Sequence, residues 1–395
     1  MNHVTLGDVS TQVRGVSYDK SLVQKRPEAG YLALLRGGNI GEHGLKWDDL
    51  QYVPENIVRD EQRLRPGDVV IATSSGSINV VGKAAQFGSH SPTTFGAFCR
   101  VVRPNHFVDQ RYFGHYFKTS AYRAQVSSLA EGANINNLRN EHLSKLSLKL
   151  PSLDEQRRIA SILDKADELR TKRRQAIILL DRLARSIYDE LFELESHVWP
   201  EVELRELCAV TSGITKGRKT TSETLTAYPY LAVSNVQDRS LSLDVVKQIE
   251  VTPQEAARYR LQRGDLLLTE GGDPDKLGRG TIWNDELAWC LHQNHVFRVR
   301  PTSNQVIPIF LSWYLSAPAA KSYFLRMAKQ TTGIASINKS QLSATPVRLP
   351  PFEMQQTFAK RLGAVERLKE THQKHLTELD ALFASLQSRA FKGEL

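Results

Sequence analysis

The sequence predicts an α+β protein: two similar mixed α/β domains separated by two long antiparallel coiled-coil helices, arranged as an internal pseudo-twofold repeat. Three observations carry this reading. Short motifs return in the same order roughly 199 residues later, the mark of a duplicated unit. Each copy ends in a long stretch whose apolar residues fall at alternating spacings of three and four. Within each copy, short β-branched runs bounded by Gly, Pro and Asn give way to helical stretches.

The repeat is seen at several places. Tyr31-Leu32-Ala33 returns as Tyr230-Leu231-Ala232, and Leu64-Arg65-Pro66-Gly67-Asp68 returns as Leu261-Gln262-Arg263-Gly264-Asp265. Phe98–Pro104 is echoed by Val296–Pro301, Leu150-Pro151 by Leu349-Pro350, and Gln156 by Gln355. The offset drifts between 199 and 197, as small loop insertions would produce. Such a period is too long for a solenoid unit and describes a whole domain with its trailing helix. The resulting divisions are a first domain at 1–150, a central spacer helix at 151–198, a second domain at 199–349 and a C-terminal spacer helix at 350–395.

In the domains, Val69-Val70-Ile71-Ala72 after Asp68 and Leu266-Leu267-Leu268-Thr269 after Asp265 read as strands entered through a turn. Helices are expected around Tyr112–Leu129 and Ile309–Ala328. From Asp154 to about Glu195 there is no Gly or Pro. Ile159, Ile162, Ala166, Leu169, Leu180, Leu183 and Ile187 are expected to pack along the first rod, with Arg173 interrupting the stripe. Ser152 and Glu155 suggest a capping box. The second rod, about Glu353 to Lys392, is expected to pack through Val365, Leu368, Leu379, Leu382 and Leu386, with Gly363 a mild weakness. Each helix follows its own domain, so a pair formed by the two is antiparallel.

Composition narrows the function. No run of about 18 apolar residues suggests a membrane span, and the N-terminal segment lacks a signal-peptide layout. Cys99, Cys208 and Cys290 are widely spaced, which argues against disulfides or a zinc site and suggests the cytoplasm. The formal charge of +9 is unevenly spread. Residues 1–150 carry +5 and 199–349 carry +4, whereas 151–198 carry −1 and 350–395 carry +1. Two basic domains divided by near-neutral rods suit a polyanion such as DNA, although such charge also serves solubility.

Catalytic motifs are missing. Gly82-Lys83 is followed by Ala84, so no phosphate-binding loop is formed. Leu349-Pro350-Pro351-Phe352 lacks the polar residue that precedes the prolines in amino-methyltransferases. No Lys stands two positions after an Asp or Glu, and the 11 His show no metal-ligand spacing. Neither catalytic nor metal-binding residues are assigned.

Two copies of a domain followed by Leu-Pro-x-x-x-x-Gln and a long helix resemble the specificity subunits of type I restriction–modification systems. The motif stands at Leu150–Gln156 and Leu349–Gln355, preceded by the matching lead-ins Leu138–Leu143 and Ile337–Leu342. Gly67-Asp68, Gly264-Asp265 and the closing Ser388–Leu395 add to the resemblance; Met354, where the first copy has Glu155, departs from it. The resemblance implies two target-recognition domains, each reading one half of a bipartite site in double-stranded DNA, with the helical spacer setting the gap. It also implies two modification subunits that methylate adenine with S-adenosylmethionine, and two restriction subunits using ATP and Mg where cleavage accompanies methylation. No cofactor would belong to this chain, which would itself be non-catalytic.

Base reading needs donors and acceptors on loops that reach a groove. Candidates in the first domain are Arg36, Asn39, Lys46, Ser74, Ser75, Asn79, Lys83, His90 and Thr94. Those in the second are Lys216, Arg218, Lys219, Asn235, Lys276, Arg279, Gln293, Asn294 and His295. Ordinary loop chemistry is the competing reading for each. A scaffold that binds DNA loosely while assembling partners is the competing function. The divergence of 73–83 from 270–280 within a repeating framework favours sequence recognition.

Overall fold

The computed structural model describes residues 2–42, 44–75, 80–89, 91–131, 137–193, 198–217, 224–331 and 333–395. The chain divides into two units, one of Met1–Ala176 with His372–Leu395 and one of Ile177–Thr371. Each long helix therefore contributes to both.

The first unit runs β1 (Asn2–Thr5), α1 (Leu6–Val9), β2 (Ser10–Arg14), β3 (Tyr31–Leu35), β4 (Ile40–Gly41), β5 (Gly44–Leu45), β6 (Gln51–Pro54), β7 (Val69–Ala72), β8 (Ala84–Gln86), β9 (Thr93–Phe95) and β10 (Cys99–Pro104). There follow α2 (Gln110–Tyr116), α3 (Ser120–Glu131), α4 (Asn140–Ser144), β11 (Ser147–Leu150) and the start of α5 (Leu153–Phe192). A four-stranded antiparallel sheet in the order β2-β10-β7-β8 lies beside a three-stranded sheet β6-β3-β9, and β1 pairs with β11.

The second unit repeats this scheme and adds a small three-stranded sheet. It contains β12 (Glu201–Glu203), α6 (Leu204–Leu207), β13 (Cys208–Ser212), β14 (Thr226–Leu231), β15 (Val236–Gln237), β16 (Ser240–Leu241), β17 (Lys247–Val251), α7 (Pro253–Tyr259), β18 (Leu266–Thr269), β19 (Gly271–Gly272), β20 (Gly280–Ile282), β21 (Leu291–His292) and β22 (Val296–Pro301). Then come α8 (Pro308–Ser316), α9 (Pro318–Met327), β23 (Lys329–Thr331), β24 (Ile334–Ser336), α10 (Lys339–Ser343), β25 (Pro346–Arg348) and α11 (Phe352–Lys392). Its sheets are β13-β22-β18-β20, β17-β14-β21, β12-β25, β15-β16 and the added β19-β24-β23.

The run Val69–Ala72 does not alternate because both faces of its sheet are covered. Val69 and Ile71 face Tyr112, Phe113, Tyr116 and Ile159, whereas Val70 and Ala72 face Leu35, Phe87 and Phe95. In the second unit Leu266 and Leu268 take the first face and Leu267 the second. The stretch expected as one helix in each copy is two. In the first, the Thr119 hydroxyl donates to the Tyr116 carbonyl where α2 ends; in the second, Pro318 opens α9.

The repeated Gly-Asp and Val-Arg-Pro motifs share an offset of 197 because their residues meet. Gly67 and Gly264 adopt φ of +93° and +90°, the left-handed turn that places the following Asp. The buried Asp68 carboxylate accepts from Arg103 Nε and Nη2, both at 2.8 Å, and from the Arg65 amide. Asp265 accepts from Arg300 at 2.6 and 2.7 Å and from the Gln262 amide. The glutamine of Leu-Pro-x-x-x-x-Gln is likewise a fastener. Buried Gln156 accepts from the Asp109 amide and donates to the Pro151 and Phe107 carbonyls, joining the start of α5 to the loop before α2. Gln355 accepts from the Ile307 amide and donates to the Pro350 and Gln305 carbonyls.

The long helices run antiparallel within each unit. In the first, Arg174 pairs with Asp380 while Arg158, one heptad-rich stretch earlier, reaches the Leu395 carbonyl. In the second, Lys369 pairs with Asp181 and Arg361 with Glu190. The packing stripe differs from the sequence expectation in one respect. Ile159, Ala166, Leu180, Ile187 and Val365 are buried, and Ile162, Leu379 and Leu386 are half-buried. Leu169, Leu183, Leu368 and Leu382 are instead 42–50% exposed. The step from each of the first positions to its seam partner is four residues, not three, so the contacts fall on Leu163, Arg170, Ala184, Leu362, Lys369, Leu376, Phe383 and Ala390. Arg170 fits there because its guanidinium lies 4.2 Å over the Phe383 ring and pairs with Asp167. Arg173, which interrupts the apolar stripe, is hydrogen-bonded to His372 at 3.1 Å. The helix ends dock on the domains in matching fashion, Phe391 stacked on Tyr112 and Phe192 against Phe310, each at 4.9 Å.

Ser152 caps α5 as expected, its hydroxyl accepting from the Glu155 amide. The Glu155 carboxylate is engaged by Arg158, not by the cap. Cys99, Cys208 and Cys290 are buried free thiols.

Candidate nucleic-acid interface

The surface most suited to reading a ligand lies where β7 and β18 end, because there the two units keep one backbone scheme and change the side chains. In the first unit the Thr73 and Ser74 amides and the Thr73 hydroxyl all donate to the Phe98 carbonyl, and the Leu138 amide donates to the Thr73 carbonyl. In the second the Glu270 amide donates to the His295 carbonyl and the Ile337 amide to the Glu270 carbonyl. These bonds make Thr73 equivalent to Glu270 and Phe98 equivalent to His295. Phe98 and His295 both project outward.

Around Phe98 lies a depression of about 410 Å³ lined by Tyr18, Lys20, Lys25 and Arg36. Arg36 donates to the Asp49 carbonyl and carboxylate across this rim. Around His295, the Glu270 carboxylate accepts from His295 Nδ1 at 2.6 Å, and the Asn294 amide lies 3.3 Å from Nε2. Lys276 pairs with Asp273 on the turn after β18, and Arg279 reaches the Val233 carbonyl.

The other candidates are dispersed. Lys46 and Lys216 are exposed and Gln293 is half-buried. Ser74 forms a bridge with Asn137, and Ser75 is half-buried beside it. Lys83 lines a separate cavity of about 490 Å³ with Lys118, Arg123, Arg170 and Arg174. Asn79, His90, Arg218 and Lys219 lie outside the described residues.

Three candidates take structural places. Buried Asn39 accepts from the Arg36 amide and donates to the Lys46 and Asp48 carbonyls. Asn235 does the same with Ala232, Ser242 and Val245, so the pair closes one equivalent turn in each unit. Buried Thr94 donates to the Gln62 carbonyl. With their hydrogen bonds spent inside the fold, these three have nothing to offer a base edge. Phe98 carries no polar group and is not among the candidates named from the sequence; its mark is an apolar residue in a basic surround. Of the tryptophans, Trp283 is buried, whereas exposed Trp289 stacks on Tyr228 and has the Arg260 guanidinium over its ring.

His292, three residues before His295, has a different task. Fully buried, it donates from Nδ1 to the Val296 carbonyl at 2.7 Å. Burial holds its pKa down at about 4. Phe95 takes its place in the first unit, since the Val16 amide bonds Phe95 as the Ile214 amide bonds His292. Below pH 6.5 the unfolded chain takes up a proton that the folded unit refuses until about pH 4. Stability is present above that window and falls through it, by on the order of 3 kcal/mol. Replacing His292 with Phe is expected to remove this acid step, measured by denaturant unfolding at pH 7 and pH 4.5. A stability loss on acidification equal in variant and parent would contradict the assignment.

Residues 1–179 and 197–381 each match the family model described as the type I restriction modification DNA specificity domain. The chain is 30% identical over 406 residues to the type I restriction enzyme EcoKI specificity subunit of Escherichia coli (strain K12), covering 98% of this chain and 87% of that one. It is also 30% identical over 410 residues to the StySPI specificity subunit of Salmonella potsdam, with the same coverages. Among solved structures, the type I restriction–modification S subunit from M. genitalium superposes with a TM-score of 0.57 at 16% identity, over 99% of this chain and 96% of that one. At that identity the likeness supports the fold.

Proposed function

The chain belongs to the family of type I restriction–modification DNA specificity subunits, and we infer that it is the subunit giving such a complex its DNA sequence specificity, with two recognition domains and no catalysis of its own. The carrying observation is the pairing of a conserved frame with changed side chains. Asp68–Arg103 and Asp265–Arg300 hold the same strands, while buried Thr73 and exposed Phe98 take the positions that Glu270 and His295 hold in the other unit. One frame presenting two chemistries suits two different half-sites. Each unit reads one half of a bipartite site in duplex DNA, and the helical spacer sets the gap between halves. The positive excess of both domains supplies phosphate attraction, and the loops supply the reading.

The methyl transfer belongs to two modification subunits that bring S-adenosylmethionine to an adenine in each half-site. Restriction subunits with ATP and Mg complete a cleaving complex. The exposed leucines of the long helices support docking of the modification subunits: Leu169 and Leu382 in the first unit, Leu183 and Leu368 in the second. The chromosome as substrate places the assembly in the cytoplasm; among the described residues no helix is long and apolar enough to cross a membrane.

Reconstitution tests this function. Modification subunits mixed with this chain should methylate plasmid DNA at one split motif, and without it should methylate none. Equal methylation without the chain would refute the role.

A further inference from the structure

Phe98 is an anomaly for a soluble surface. It is 71% exposed, yet its backbone is held by three hydrogen bonds to one carbonyl, from the Thr73 amide at 3.0 Å, the Thr73 hydroxyl at 3.1 Å and the Ser74 amide at 3.2 Å. The backbone that carries the ring is therefore held in one place. Lys20, Lys25 and Arg36 line the same depression. An apolar group framed by cations suits a polyanion that carries an apolar feature. Duplex DNA has one in its major groove, the thymine methyl.

The equivalent residue, His295, is presented by the same strand junction but carries different chemistry. Its Nδ1 lies 2.6 Å from the Glu270 carboxylate, which only accepts, so Nδ1 holds the hydrogen and, in the neutral ring, Nε2 is an acceptor. An acceptor on this face matches the exocyclic amine of adenine or cytosine and finds nothing to bond on a thymine edge. The weak 3.3 Å approach of the Asn294 amide to Nε2 is one an amine would displace.

Resting on the reading of each unit as a half-site reader, we propose that Phe98 and His295 are the paired specificity positions of the two units. Phe98 contacts a thymine methyl in one half-site, and His295 accepts from a base amine in the other. The two residues then act on opposite halves of the motif, and neither affects assembly with the modification subunits.

The test uses the assembled complex and its own motif, read first from the unaltered chain. Duplexes in which each motif thymine is replaced in turn by deoxyuridine lose only the methyl. One such replacement, confined to one half, is expected to weaken binding by about tenfold. With Phe98→Ala that replacement should make no difference, and with His295→Ala it should cost as much as before. His295→Ala should in turn relax one adenine or cytosine position in the other half. The assignment is overturned if no deoxyuridine weakens binding, or if Phe98→Ala keeps the same sensitivity. It is also overturned if Phe98→Ala loses the modification subunits, which would make Phe98 a protein contact. If the unaltered complex has no split motif, the half-site reading itself falls and this assignment with it.

Discussion

Arg103→Ala is expected to destabilise the first unit by about 3–5 kcal/mol, the cost of leaving a buried carboxylate without its partner. Asp68 is 1% exposed, and both of its oxygens are held by the one guanidinium. The same guanidinium also ties the Glu61 and Arg63 carbonyls, so its loss frees the segment leading into the Gly-Asp turn. Arg300→Ala should act alike on the second unit, through Asp265 and the Arg260 carbonyl. Replacing Asp68 and Arg103 together with apolar residues should cost less than Arg103→Ala alone, because no uncompensated charge then remains. Hydrogen exchange at β7 and β10, set beside β18 and β22 in the same sample, reports each unit separately. A loss below about 1 kcal/mol would mean that the carboxylate reaches water in the folded unit.

The second large effect concerns assembly and leaves stability alone. Changing Leu169 and Leu382 together to Ser is expected to weaken binding of a modification subunit to the first unit by on the order of 100-fold or more, from two leucine burials lost. Leu183 and Leu368 should act likewise in the second unit. These leucines are already half in water in the free chain, so unfolding should shift by no more than about 0.5 kcal/mol per site. Size-exclusion chromatography of the mixed subunits, with thermal unfolding of the chain alone, separates the two readouts. Unchanged assembly would remove the leucine flank from the docking surface. A large fall in stability would show that these side chains pack within the chain.

Much of the frame was legible because fasteners must repeat as pairs. Gly-Asp and Val-Arg-Pro recur at one offset since Asp68 needs Arg103 and Asp265 needs Arg300. Leu-Pro-x-x-x-x-Gln recurs because Gln156 and Gln355 each close the same junction. The helix seam was half legible. Residues seven apart from Ile159 to Ile187 were placed well, but the intervening position was drawn to the largest apolar side chains. The seam takes Leu163, Arg170 and Ala184, while Leu169 and Leu183 stay on the flank. Periodicity alone does not separate steps of three from steps of four when both carry leucine and the seam admits an arginine stacked on phenylalanine.

At the candidate interface, residue type was a poor guide. Asn39 and Asn235 look like base readers in a Gly-rich or Ser-rich loop, yet they close turns with their own backbone. Phe98 looks like a core residue at the head of a strand, yet it faces solvent. Which carbonyl each loop amide reaches is a tertiary fact. That pattern agrees with the offset of 197 shared by the neighbouring Val-Arg-Pro motifs, which aligns positions 98 and 295.

Genome-wide adenine-methylation mapping puts the specificity role to the most direct test, comparing cells that carry this chain and its modification partner with cells lacking only the chain. A single motif of two short, different halves with a fixed gap should be methylated in the first cells and bare in the second. Identical methylation in both, with the partner expressed and assembled, would contradict the claim that this chain selects the site.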